Sequence, residues 1–187
     1  GDIMLLGEYH HNIDDKGRLV IPSTYRDELG NEFIITRGIE KCLYVYSKAE
    51  WEKLVAKLNT LPFTKKNART FSRSFFSGAT VCKFDNNGRI NITSPLVSYA
   101  GLTKECVIIG VNDRLEIWSE DAFNSFMEDN ASELSFIFFR DEKRFYQRKL
   151  TKQGNYTLQK VASTAGVKNM AEFHNAGYKG LYNGETA

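Results

Sequence analysis

Cysteine is scarce in this 187-residue chain and carries no pattern. Cys42, Cys82 and Cys106 stand far apart without Cys-x-x-Cys spacing, so neither a zinc site nor a disulfide framework is indicated, and a reducing compartment is expected. Long apolar runs are also missing: none nears the roughly 18 residues of a membrane span, and no signal-peptide core stands near the N-terminus. Gly1-Asp2-Ile3, ahead of Met4, take no part in the fold reading. Histidine numbers only three. His10 and His11 adjoin on an extended segment, so their side chains leave on opposite faces and cannot share a metal, and His174 is isolated. His-x-x-x-His, Gly-x-Ser-x-Gly and phosphate-cradling glycine loops are all lacking. Asp14 and Asp15 lie beside Lys16 and Arg18, which suits local pairing in a turn better than catalytic carboxylates. No enzyme, cofactor or metal site is expected.

What the chain does contain is charge in blocks. The net +2 conceals −4 over residues 1–52 (six Lys/Arg, ten Asp/Glu), and +8 over 53–104 (nine basic residues against Asp85). It then swings to −7 over 105–135 (Arg114 against eight acids) and +5 over the remaining tail. A basic middle next to acidic flanks can present a positive face to nucleic acid. Lys53 and Lys57 fit the solvated side of a helix equally well.

The chain also repeats itself. Ile13-Asp14-Asp15-Lys16-Gly17-Arg18-Leu19-Val20-Ile21 returns 71 residues later as Phe84-Asp85-Asn86-Asn87-Gly88-Arg89-Ile90-Asn91-Ile92. Each copy reads as two strands joined by a tight turn, with Asp at the entry, Gly supplying a positive φ, and alternating apolar residues beyond. Asp14 and Gly17, then Asp85 and Gly88, are the structural turn residues. Asp-x-x-x-Arg brings a carboxylate and a guanidinium within pairing reach. A two-stranded ribbon also fits the major groove of DNA.

Elements recur in the same order. Glu8 to Ile13 reads as a strand with Arg18 to Ile21 as its partner, then Ser23 caps a short helix ending at Gly30. Phe33–Thr36 and Leu43–Tyr46 are strands, and Ser47-Lys48-Ala49-Glu50 is a capping box opening a helix with Trp51, Leu54, Val55 and Leu58 on one face. The second copy gives Ser94–Tyr99, Val107–Ile109, Leu115–Trp118 and a helix capped by Ser119 with Phe123 and Phe126 inward. A single β-α-β-β-α unit has too few strands to stand alone, so the two are expected to bury their apolar faces together. Residues 61–76 read as a partly helical linker. Its Arg69 and Arg73 share one face, suited to DNA or, preferably, to pairing with Glu120, Asp121 and Glu128.

The two Asp-x-x-x-Arg turns, with Gly7-Glu8-Tyr9 and Ser77-Gly78-Ala79 ahead of them, resemble the MraZ family. So do Phe33-Ile34-Ile35-Thr36-Arg37-Gly38, Leu61-Pro62-Phe63-Thr64, Ala68-Arg69-Thr70-Phe71 and Arg73-Ser74-Phe75-Phe76. The resemblance covers about residues 4–135. It implies an α+β, β-rich fold: two tandem AbrB-like swapped-hairpin units, 4–60 and 77–135, forming one pseudo-symmetric body. It also implies a cytoplasmic, nucleoid-associated transcriptional regulator that binds short direct repeats in double-stranded DNA upstream of the division and cell-wall genes. A ring-shaped homo-oligomer with no membrane role belongs to the same expectation. The DNA-binding candidates are Lys16, Arg18, Asn86, Asn87 and Arg89, with Arg69 and Arg73 in the linker. Lys16 suits phosphate as a point charge, Arg18 and Arg89 suit bidentate contacts, and the two asparagines suit base edges. The alternative is an AbrB-like antitoxin or an architectural DNA-binding protein that uses its basic tail for a partner.

Residues 136–187 depart from that family and read as an atypical, fusion-derived or disordered tail. Within them about residues 170–187, through Glu172-Phe173-His174-Asn175-Ala176-Gly177-Tyr178-Lys179-Gly180-Leu181-Tyr182, resemble a fragment of DNA-damage-inducible protein D. A short helix is expected over 157–166, and packing of Phe136–Phe139 on the second unit.

Overall fold

Strand exchange between the two sequence copies builds the body. The computed structural model describes residues 4–133; the expectations placed on 136–187 lie outside the described residues. In chain order the elements are β1 (Leu5–Asn12), β2 (Arg18–Val20), α1 (Ser23–Leu29), β3 (Phe33–Arg37), β4 (Leu43–Ser47) and α2 (Lys48–Leu58). They continue with α3 (Lys66–Ser77), β5 (Thr80–Cys82), β6 (Arg89–Asn91), α4 (Ser94–Ala100), β7 (Glu105–Asn112), β8 (Leu115–Ser119) and α5 (Glu120–Asp129).

Six strands form one antiparallel sheet in the order β1-β7-β8-β4-β3-β5, and β2 pairs with β6 in a separate ribbon. The outer strands have changed places. β1 of the first copy pairs with β7 of the second, His11 opposite Cys106, while β5 of the second pairs with β3 of the first, Cys82 opposite Phe33. The two copies meet at the centre, where Leu43 lies opposite Ile117 and Val45 opposite Leu115. The reading of β2 as the partner of the strand before it therefore needs correcting. The turn between them closes, but each strand leaving it pairs with the other copy. A lone copy offers β2 no edge against which to cover Leu19; the other copy's β6 does.

Alternation along the strands divides the sheet into two faces. Leu43, Val45, Ile108, Leu115 and Ile117 face one cluster, together with Leu19 and Ile90 of the ribbon and Tyr25, Leu29, Leu96 and Ala100 of α1 and α4. Tyr44, Tyr46, Val107 and Trp118 face the other, with Phe75 of α3 and Phe123 of α5. The ribbon and α3 thus lie on opposite sides of the sheet.

Caps follow local chemistry at two helices and depart from it at a third. Ser47 Oγ accepts from the Glu50 amide and Ser119 Oγ from the Ala122 amide, both at 3.2 Å, as the sequence predicts. Ser23 is not a cap: α1 already includes it, Pro22 precedes it, and no side chain caps that end. Proline's fixed φ sets the entry instead. Phe123 is 8% exposed, but Phe126, expected inward, is 36% exposed and lies against Trp118 with ring centroids 5.1 Å apart.

The linker is more regular than expected, since α3 fills most of it. Phe75 stacks between Phe71 (5.4 Å) and a half-buried Trp51 (5.3 Å), and its carbonyl accepts from Thr36 Oγ1. Arg37 Nη1 ties the sheet to the Ser74 carbonyl and Ser77 Oγ, each at 3.1 Å. The anticipated pairing of Arg69 and Arg73 with Glu120, Asp121 and Glu128 is not made among the described residues. Arg69 Nη1 instead donates to the Phe63 and Thr64 carbonyls at 2.9 and 2.8 Å, bracing the loop before α3, and Arg73 is exposed.

Because each half supplies strands to the other, the halves should unfold together. Trp51 lies in the first half and Trp118 in the second. Trp51→Phe and Trp118→Phe, each leaving one reporter, should give equal fluorescence midpoints after correction for the mutation's own cost. Ile90→Ala should lower both midpoints together, each corresponding to a loss of roughly 2–5 kcal/mol of unfolding free energy, as for a buried aliphatic truncation. Loss at the Trp118 reporter alone would mean independent halves.

Candidate nucleic-acid interface

Each turn is organised by one carboxylate. Asp14 Oδ1 accepts from the backbone amides of Lys16 (3.0 Å) and Arg18 (2.8 Å), and Oδ2 accepts from Arg18 Nε (2.6 Å). Asp85 does the same in the second copy, with the amides of Asn87 (2.8 Å) and Arg89 (2.9 Å) and with Arg89 Nε (2.7 Å). Backbone bonds close both loops: Gly17 N–H to the Asp14 carbonyl and Gly88 N–H to the Asp85 carbonyl, each at 3.0 Å. The glycines have φ of 77° and 70° and leave no room for a side chain. A Cβ on Gly17 would lie 2.5 Å from the Ile92 carbonyl oxygen.

These bonds hold both carboxyls below the usual carboxylate range. In each case the arginine backbone amide is the largest cause, offset in part by desolvation and reinforced by the guanidinium. Accepting three N–H groups favours the charged form.

The turns are also locked to each other. The Ile92 amide donates to the Gly17 carbonyl at 2.7 Å, and the Ile21 amide to the Gly88 carbonyl at 3.1 Å. Between them runs the ribbon, with Arg18 opposite Asn91, Leu19 opposite Ile90 and Val20 opposite Arg89. Leu19 and Ile90 are 0% exposed, so they point into the core. By alternation Arg18 and Arg89 project from the other face, as diagonal neighbours roughly 7–8 Å apart.

The structure therefore brings Arg18 and Arg89 together on one ribbon face. It places Lys16, Asn86 and Asn87 exposed in the flanking turns and leaves Arg69 and Arg73 on the far side of the sheet. Sequence reasoning missed Arg26. Its Nε donates to the Ile21 carbonyl at 2.8 Å, and its guanidinium lies where a Gly88 Cβ would be. The available signal was a cation in α1 whose counterpart in the second copy, 71 residues on, is Val97.

A family model built on the MraZ protein, described as antitoxin-like, matches this chain twice, over residues 4–74 and 75–149. The chain belongs to the MraZ family. The MraZ match reaches beyond the 4–135 read from the motifs, and the boundary between its two copies falls inside α3. A protein of Lactobacillus helveticus named transcriptional regulator MraZ is 55% identical over 126 residues, 67% of this chain and 88% of its own length. Another MraZ transcriptional regulator, from Lactobacillus gasseri, is 52% identical over the same shares. Neither bears an enzyme's name, in line with the lack of a catalytic constellation in the sequence. Residues 138–187 match the DinD C-terminal domain, a longer span than the roughly 170–187 over which the resemblance is read from the sequence.

The depressed carboxyls set a direction for pH. Asp14 and Asp85 ionise below their ordinary value of 3.8, so their bonds stabilise the fold above that value. The contribution disappears as pH falls through the lower folded-state values. The Asp14→Asn/Asp85→Asn double variant should therefore show a flatter decline of its denaturation midpoint than wild type below about pH 5. Parallel curves would mean that the carboxylates' charge contributes nothing to the turns.

Proposed function

We propose that this MraZ-family chain is a DNA-binding transcriptional regulator that uses the β2–β6 ribbon and its two turns as the DNA surface. The observation that carries the reading is the placement of two aspartate-braced arginines, one from each copy, on the outward face of a two-stranded ribbon. Such a ribbon fits the major groove. With Nε held by Asp14, Arg18 keeps Nη1 and Nη2 for guanine O6 and N7, and much of its rotamer freedom is already spent before binding. Arg89 is held alike by Asp85. Lys16 neutralises phosphate, while Asn86 and Asn87 offer amides to base edges or backbone.

On this reading the targets are short direct repeats upstream of the division and cell-wall genes. They are met by successive protomers of a ring-shaped homo-oligomer, each presenting its ribbon in the same sense. The names of the two Lactobacillus relatives support the regulatory role.

A competition titration with the upstream repeat and a scrambled duplex tests the assignment. Arg18→Ala should lose about 1–3 kcal/mol on the repeat and lose preference for it, and Arg18→Lys should not restore the preference, since an ammonium lacks the planar fork. Lys16→Ala should weaken both duplexes alike. An Arg18→Ala protein that keeps the wild-type ratio would make Arg18 a turn brace and nothing more.

A further inference from the structure

The two turns share a backbone and differ in charge. Lys16 stands in the first; the second has Asn86 and Asn87, and no cation within its loop before Arg89. What stands over the second turn is Arg26, delivered from α1 of the first copy. Its Nε donates to the Ile21 carbonyl, and the Ile21 amide donates to the Gly88 carbonyl, so helix, ribbon end and turn form one hydrogen-bonded series. The guanidinium covers Gly88, which is buried, whereas Gly17 at the first turn is only half-buried. At the corresponding place in the second copy Val97 packs on the core cluster, so α4 sends no such cation to the first turn. Arg26 Nη1 and Nη2 make no hydrogen bond or ion pair among the described residues.

We propose that Arg26 is a DNA-contacting residue of the second turn, its two Nη groups holding the phosphate there as Lys16 holds one at the first. This rests on the ribbon being the DNA surface. The geometry favours a phosphate contact, because Nε is fixed by the Ile21 carbonyl and the free end of a rigid fork is left for a phosphate's paired oxygens. The ribbon then has unlike ends. One is a flexible ammonium; the other is a pre-placed guanidinium beside two amides. A pseudo-symmetric body with unlike ends docks on a duplex in one polarity, which is what a direct repeat requires.

The test is a salt titration of the full chain on the upstream duplex and its scrambled control, comparing wild type with Arg26→Gln and Arg26→Lys. Glutamine can still donate to the Ile21 carbonyl but carries no charge. Losing one phosphate contact should lower the slope of log K against log salt by about 0.9, equivalent to about eightfold in affinity at 0.1 M salt. The loss should be equal on both duplexes, and Arg26→Lys should keep the wild-type slope. Should Arg26→Gln fail to fold, phenylglyoxal labelling of the wild-type chain decides the matter: bound duplex should protect Arg26. An unchanged slope in a folded Arg26→Gln protein, or full labelling of Arg26 in the complex, overturns the proposal while leaving the ribbon assignment standing. A wild-type chain that binds neither duplex overturns both.

Discussion

Leu19 and Ile90 face each other across the ribbon and leave no surface to water. Burying each is worth roughly 1.5–3 kcal/mol, and the strand that carries each is paired only with the strand that carries the other. That constraint decides the architecture. A three-residue strand from each copy must meet its counterpart, so the chains leaving the two turns cross over and take the outer edges of the sheet beside the opposite copy. The ribbon then covers one face of the six-stranded sheet, and helices α2, α3 and α5 cover the other. One consequence reaches the surface: with Leu19 and Ile90 turned inward, Arg18 and Arg89 have no direction but outward, and they emerge side by side.

The carboxylates complete the arrangement. Asp14 and Asp85 each satisfy two amides of a tight loop and hold one arginine, so the residue that shapes the turn also aims the side chain the turn presents. A left-handed glycine closes each loop, and its carbonyl accepts from the other copy's strand end. Turn, ribbon and guanidinium are thus one unit, assembled from both halves of the sequence. Arg26 breaks the symmetry of that unit, because the copy with no lysine in its loop receives an arginine from the neighbouring helix.

How much of this could be read in the amino acids depended on the range of the interaction. The turns were legible because Asp-x-x-Gly-Arg contains all the partners its bonds require within five residues. The Ser47 and Ser119 caps were legible for the same reason. The exchange of strands was not, since a period of two tells which face of a strand is buried and nothing of its neighbour; only the family resemblance pointed to it. Arg26 escaped because its two contacts, the Ile21 carbonyl and Gly88, come from different copies. Arg69 was misassigned because charge alone suggested an acidic helix, while the carbonyls of Phe63 and Thr64 lay nearer.

The central claim is that both copies contribute to one DNA surface on the ribbon. Hydrogen–deuterium exchange of the full chain, with and without the upstream duplex, tests it most directly. The account predicts that slowing on binding will be concentrated in residues 14–20 and 85–91 together, with α3 on the opposite layer unchanged. Protection confined to one of those two segments, or found in 66–77 or in 138–187 while the ribbon exchanges as before, would contradict it.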